Sequence, residues 1–156
     1  MTPADLQLTL LVWAATVLLV GAVALRTRFL GWPPPPRSRK LSGLGGLLRG
    51  VVVAAWEEWL YRQQIQRLLV AGLGAPMGLL LALAIFTVAH WRPGEWRFAL
   101  LAGLAGTFWV WLYHHTGSVG ASALAHCLLI GPWLGVWGPP RFRTSRSPRP
   151  SRRWWE

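Results

Sequence analysis

VVVAAWEEWLYRQQIQRLLVAG, residues 51–72, decides the fold. The stretch starts as apolar as a lipid-facing helix, then carries Glu57, Glu58 and Arg62 inside the same run. At about 1.5 Å per residue it extends about 33 Å, enough to cross a hydrocarbon layer about 30 Å thick. A carboxylate within that layer costs roughly 2.5–3.5 kcal/mol on insertion scales. Two adjacent ones therefore require partners, a water-filled cavity or a function. Glu58 and Arg62 stand four apart with the acid first, the favoured order for a helical ion pair. Glu57 lies about 100° further around the helix and is left for another partner. The remaining polar residues, Gln63, Gln64, Gln66 and Arg67, must face the bundle interior with Arg62 or snorkel to the interface.

The rest of the chain fits this reading. Of its 156 residues, 53% are hydrophobic and 13% charged, about half the charge of an ordinary soluble domain; the mean hydropathy is +0.36. Further apolar runs lie at 6–25, MGLLLALAIFTVAHW (77–91), WRFALLAGLAGTFWVWLYHH (96–115) and ASALAHCLLIGPWLGVWG (121–138). The fold class is an all-α polytopic bundle of about five membrane-spanning helices. The first run lacks a basic n-region and a cleavage site, so it reads as a retained helix and not a signal peptide. The net charge of +11 is spread as topology requires, not as a nucleic-acid surface. Arg26, Arg28, Arg37, Arg39 and Lys40 fill one loop, Arg92 and Arg97 flank another, and Arg141 to Arg153 fill the tail. This alternation obeys the positive-inside rule and suits anionic lipid headgroups. It sets the N-terminus outside and the tail in the cytosol of a bacterial-type plasma membrane, with no nucleic-acid partner. Trp32, Trp91, Trp96 and Trp137 fall near the inner interface, as an aromatic belt does. The organisation is a transmembrane helix at 1–25, a cytosolic Pro/Arg-rich linker with four consecutive prolines at 26–43, a core at 44–138 and a basic, disordered tail at 139–156. Within the core, Leu44 to Leu48 is expected to be an interfacial lead-in.

Two histidines lie in later apolar segments. If the turn after the second span is centred between Leu73 and Gly74, Glu57 precedes it and His90 follows it by equal numbers of residues. Two antiparallel helices then hold them at equal depth near the cytosolic side. Phe86, four before His90, shares its face and can fix the imidazole. A carboxylate beside an imidazole is a general-base arrangement for activating water. His126, from a third helix, is positioned to donate to the oxyanion formed when water attacks a carbonyl. It should stand about 11 Å shallower than Glu57 on ideal helices. A purely structural reading also holds: an intramembrane Glu–Arg pair locks packing, and a lone histidine is often only a satisfied polar residue. His114 and His115 read as interfacial, and Cys127 as a small core residue.

EEWLYR (57–62), FTVAH (86–90) and SVGASALAHCLLI (118–130) together resemble the CAAX protease and bacteriocin-processing family (CPBP, or Abi) of intramembrane glutamate proteases. The resemblance covers roughly Val51 to Gly138. It implies that Glu57 and His90 activate water, that His126 helps hold the oxyanion, and that Glu58, Arg62 and Phe86 support the site. No cofactor is implied; zinc held by Glu57, His90 and His126 is the lesser alternative. The substrate would be a membrane-associated peptide or protein cut near the cytosolic face. The chain is short for the family, which implies recognition through a partner or a homo-oligomer. It departs from the pattern at Ile130, where the family has a polar residue able to donate to an oxyanion. Thr107, Tyr113 and Ser122 are the hydroxyls considered in its stead. The departure also supports a second expectation, a catalytically inactive relative acting in immunity, peptide binding or as a scaffold.

Overall fold

Helix α1, Pro3–Arg26, starts at a reciprocal cap: the Thr2 hydroxyl accepts from the Asp5 backbone at 3.1 Å, and the Thr2 N–H donates to the Asp5 carboxylate at 2.6 Å. The computed structural model describes residues 1–29, 44–91 and 96–136. Most of the 26–43 linker, Arg92, Trp32, Trp137 and the basic tail lie outside the described residues. Along α1, Thr9, Val12, Thr16, Val20 and Ala24 form the buried stripe. The two threonine hydroxyls donate to the carbonyls of Asp5 and Val12, both at 2.7 Å, so neither hydroxyl of the stripe is left unsatisfied.

Helix α2 is one continuous rod. It runs as Leu44–Glu58, then as a π-helix over Trp59–Gln66, then as Arg67–Leu73. It begins earlier than the expected span near residue 51, because LGGLLRG is itself helical rather than a separate lead-in. Gly74 alone joins it to α3, Ala75–Ala89. The Gly74 φ of 78° is a left-handed backbone value that glycine adopts without steric cost. Its N–H caps the carbonyl of Val70 at 3.0 Å. Helix α4 is Trp96–Thr116 and α5 is Val119–Val136; Gly117, φ 63°, makes the joint between them.

The described residues contain helix and no strand. Helix α1 packs on α4 and α5, α2 on α5, the later part of α2 on α3, and α3 on α4. Buried alanines (Ala54, Ala82, Ala99, Ala105, Ala121 and Ala125) allow close approach between helices, as small residues do in membrane bundles. The polarity is reversed from that of a water-soluble domain. Leu18 is 74% exposed and Val88 70%, while Glu58, Arg62, Gln66 and His126 are buried. Helix α1 is the one described helix long and apolar enough to cross a membrane by length and composition; α3 and Val119–Ile130 of α5 are shorter apolar stretches.

The tightest contact is at the α2–α3 hairpin. A Cβ built on Gly78 would stand 2.6 Å from the backbone of Val70, which cannot swing away as a side chain would. Gly78→Ala should destabilise the bundle by on the order of 1–3 kcal/mol. Gly72→Ala, with nothing within 4 Å of the added carbon, should not. Unfolding of the detergent-solubilised protein compares the two.

Candidate active site

The two adjacent glutamates of α2 each take one histidine, from two different helices. Glu58 points inward. Its Oε2 accepts from Arg62 Nε at 2.8 Å, with both side chains fully buried; its Oε1 accepts from His126 Nδ1 of α5 at 3.1 Å. Glu57 faces α3, and its Oε2 lies 3.8 Å from His90 Nε2. This outer pair is partly open: His90 is 16% and Glu57 25% exposed.

His90 is oriented from its own helix. Its Nδ1 donates to the carbonyl of Phe86 at 2.8 Å, and a carbonyl can only accept. The neutral ring therefore presents an unprotonated Nε2 toward Glu57. The Phe86 ring, 1% exposed, lies 4.4 Å from the imidazole and 4.9 Å beneath the Arg62 guanidinium. One phenyl ring thus braces the outer histidine and the inner cation.

The π-helical turn follows the glutamates directly. Its wider turn carries Arg62, Gln63 and Gln66 inward. Gln66 Nε2 donates to the Val110 carbonyl at 3.0 Å, and the Tyr113 hydroxyl donates to Gln63 Oε1 at 2.8 Å. These side chains bind α2 to α4. Arg67, by contrast, is exposed.

The structure brings Glu57 together with His90, and Glu58 with Arg62, as the spacing predicts. It corrects the reading of His126. That ring is not shallower than the glutamates; it sits on Glu58, the residue expected to be held by Arg62 alone. Helix depths counted from turns assumed straight helices of uniform rise, and α2 is not one. His126 also stacks on Trp109, with centroids 3.9 Å apart and planes at 21°, a contact that no sequence spacing signalled. Among the described residues no three His, Cys, Asp or Glu side chains gather as metal ligands, so zinc on Glu57, His90 and His126 does not fit this arrangement. Ile130, one turn after His126, is half-buried. The hydroxyls of Thr107, Tyr113 and Ser122 are all engaged, on Gly103 O, Gln63 Oε1 and Val119 O, with Thr107 on the exposed face of α4.

The sequence model of the type II CAAX prenyl endopeptidase Rce1-like family matches residues 40–129. The chain belongs to this family. The match spans α2, α3, α4 and the part of α5 that carries His126, so both glutamate–histidine pairs lie within it. The Rce1-like assignment makes the chain a member of a membrane-embedded protease family. No curated protein and no solved structure matches the chain.

Removing one member of a buried ion pair leaves the other charge uncompensated and typically costs about 3–5 kcal/mol. Arg62→Leu should therefore destabilise the Rce1-like bundle by that order, while His90→Ala, at the partly open pair, should cost much less. Denaturant unfolding in mixed micelles measures both.

Proposed function

We propose that this Rce1-like protein is an intramembrane endopeptidase that hydrolyses a peptide bond near the cytosolic face, using water activated by Glu57 and His90. The observation that carries the reading is the outer pair itself: two acceptors, a carboxylate and an unprotonated Nε2, 3.8 Å apart and partly open. A single water can donate one proton to each, which turns its lone pair outward to a carbonyl. As the water oxygen bonds to the carbonyl carbon, Glu57 takes its proton. The proton passes to the leaving amine when the C–N bond breaks. His126 donates to the oxyanion through Nε2 when its ring carries both protons, its Nδ1 staying on Glu58. Arg62, Glu58 and Phe86 hold the two histidines. No cofactor takes part.

The helices would cross a bacterial-type plasma membrane five times, with the N-terminus outside, the tail in the cytosol and the basic segments on anionic lipid. The substrate class is a membrane-associated peptide or protein. The family description makes a C-terminal prenylated peptide the first substrate to try. The second reading, a non-catalytic relative in immunity, peptide binding or scaffolding, draws on Ile130, which offers no hydrogen bond where the family resemblance expects one.

Peptide cleavage by the purified protein tests the proposal. Glu57→Gln and His90→Ala should each lower the rate by about 10²–10⁴-fold without unfolding the protein, and a chelator should leave the wild-type rate unchanged. Equal cleavage by all three proteins would assign the cluster to packing, and loss of cleavage on chelation would return the reaction to a metal.

A further inference from the structure

Hydrolysis at Glu57 and His90 needs a donor for the carbonyl oxygen as well as a base. Most described donors around the pair are committed; Arg62 Nη1 and Nη2 and Trp109 Nε1 make no hydrogen bond, but they are buried in the bundle. His90 Nδ1 is on Phe86 O, Arg62 Nε and His126 Nδ1 are on Glu58, and the Thr87 hydroxyl is on Leu83 O at 2.8 Å. The hydroxyls of Thr107, Tyr113 and Ser122 are each on a partner within the bundle's own helices, and Ile130 has nothing to donate.

Tyr61 differs. The chain has two tyrosines. Tyr113 spends its hydroxyl on Gln63 at 2.8 Å, whereas the Tyr61 hydroxyl makes no hydrogen bond within the described structure and the residue is half-buried, not enclosed. Tyr61 stands one turn after Glu57 on α2. Its ring meets Phe86 edge-on, with centroids 4.9 Å apart at 86°, on the same phenyl that braces His90 at 4.4 Å. The phenol ring thus follows the turn bearing the carboxylate and packs on the phenyl that braces the imidazole. A phenol O–H donates without first acquiring a proton, which a neutral His126 with Nδ1–H on Glu58 cannot do through Nε2.

We propose that the Tyr61 hydroxyl donates a hydrogen bond to the substrate carbonyl at the Glu57–His90 pair, beside His126 when that ring carries both protons. This rests on the peptidase reading above. As the water oxygen adds to the carbonyl carbon and Glu57 takes the proton, the carbonyl π pair moves onto its oxygen. The Tyr61 O–H shortens its hydrogen bond to that oxyanion and keeps its proton. The pair returns as the C–N bond breaks, and the amine leaves with the proton from Glu57.

Tyr61→Phe keeps the ring on Phe86 and removes only the hydroxyl. In the full-length protein kcat should fall about 10²–10³-fold, the loss typical of one oxyanion donor, with KM and the unfolding midpoint unchanged. A peptide phosphonate, which mimics the tetrahedral intermediate, should bind wild type more tightly than the parent peptide and lose that preference in Tyr61→Phe. Wild-type kcat in Tyr61→Phe, or a loss accompanied by a lowered unfolding midpoint, overturns the proposal. An inactive Glu57→Gln beside a fully active Tyr61→Phe defeats the Tyr61 role alone. A fully active Glu57→Gln, or a wild type that neither cleaves the peptide nor binds the phosphonate, defeats the peptidase reading and this proposal with it.

Discussion

Everything in the bundle depends on one buried carboxylate. Glu58 is fully enclosed and accepts from Arg62 at 2.8 Å and from His126 at 3.1 Å. Removing a charge from water costs several kcal/mol even after relaxation, so Glu58 can remain ionised only where donors meet it. One donor comes from its own helix and costs no long-range order. The other comes from α5, and to use it α2 and α5 must pack at one register and one rotation. That rotation turns the neighbouring Glu57 toward α3, since adjacent residues differ by about 100° around a helix. The inner glutamate therefore aims the outer one.

The division explains why the two pairs differ in character. The inner pair is short, dry and bound to a guanidinium whose other face lies on Phe86. The outer pair is longer and partly open. A cluster kept for packing alone gains most when every member is buried and bonded. Glu57 and His90 are held in place, with His90 Nδ1 fixed on Phe86 O, yet their facing atoms stop short of a direct hydrogen bond. This combination leaves room for a third molecule between two acceptors and supports reading the outer pair as chemical and the inner pair as structural.

What was legible in the sequence was whatever one helix or one turn determines. Glu58–Arg62 and Phe86–His90 follow from four-residue spacing, and the equal depth of Glu57 and His90 follows from a hairpin with a one-residue joint at Gly74. Both need only the periodicity of the chain. The Glu58–His126 bond was not legible, because it spans two helices whose relative depth depends on tilt and on the π-helical turn over Trp59–Gln66. Nor was the stacking of Trp109 on His126. Ring stacking between α4 and α5 leaves no spacing signature, and an indole on an apolar helix reads as core. The polar run RQQIQR (62–67) was legible as inward-facing only in part: Arg62 and Gln66 are buried, Gln63 meets Tyr113, and Arg67 is exposed.

The same reasoning changes the weight of Ile130. A missing donor counts against catalysis only if no other donor faces the reacting carbonyl. On straight helices His126 and residue 130 would be the natural candidates, one turn apart on α5. With His126 drawn onto Glu58, α5 is committed first to the inner carboxylate, and on its next turn Leu129 packs against the core while Ile130 is half-buried. The outer pair takes its carboxylate from α2 and its imidazole from the end of α3, and Phe98 of α4 lies 5.8 Å from that imidazole. The donor that completes the site is therefore most directly supplied from α2 itself, one turn beyond Glu57.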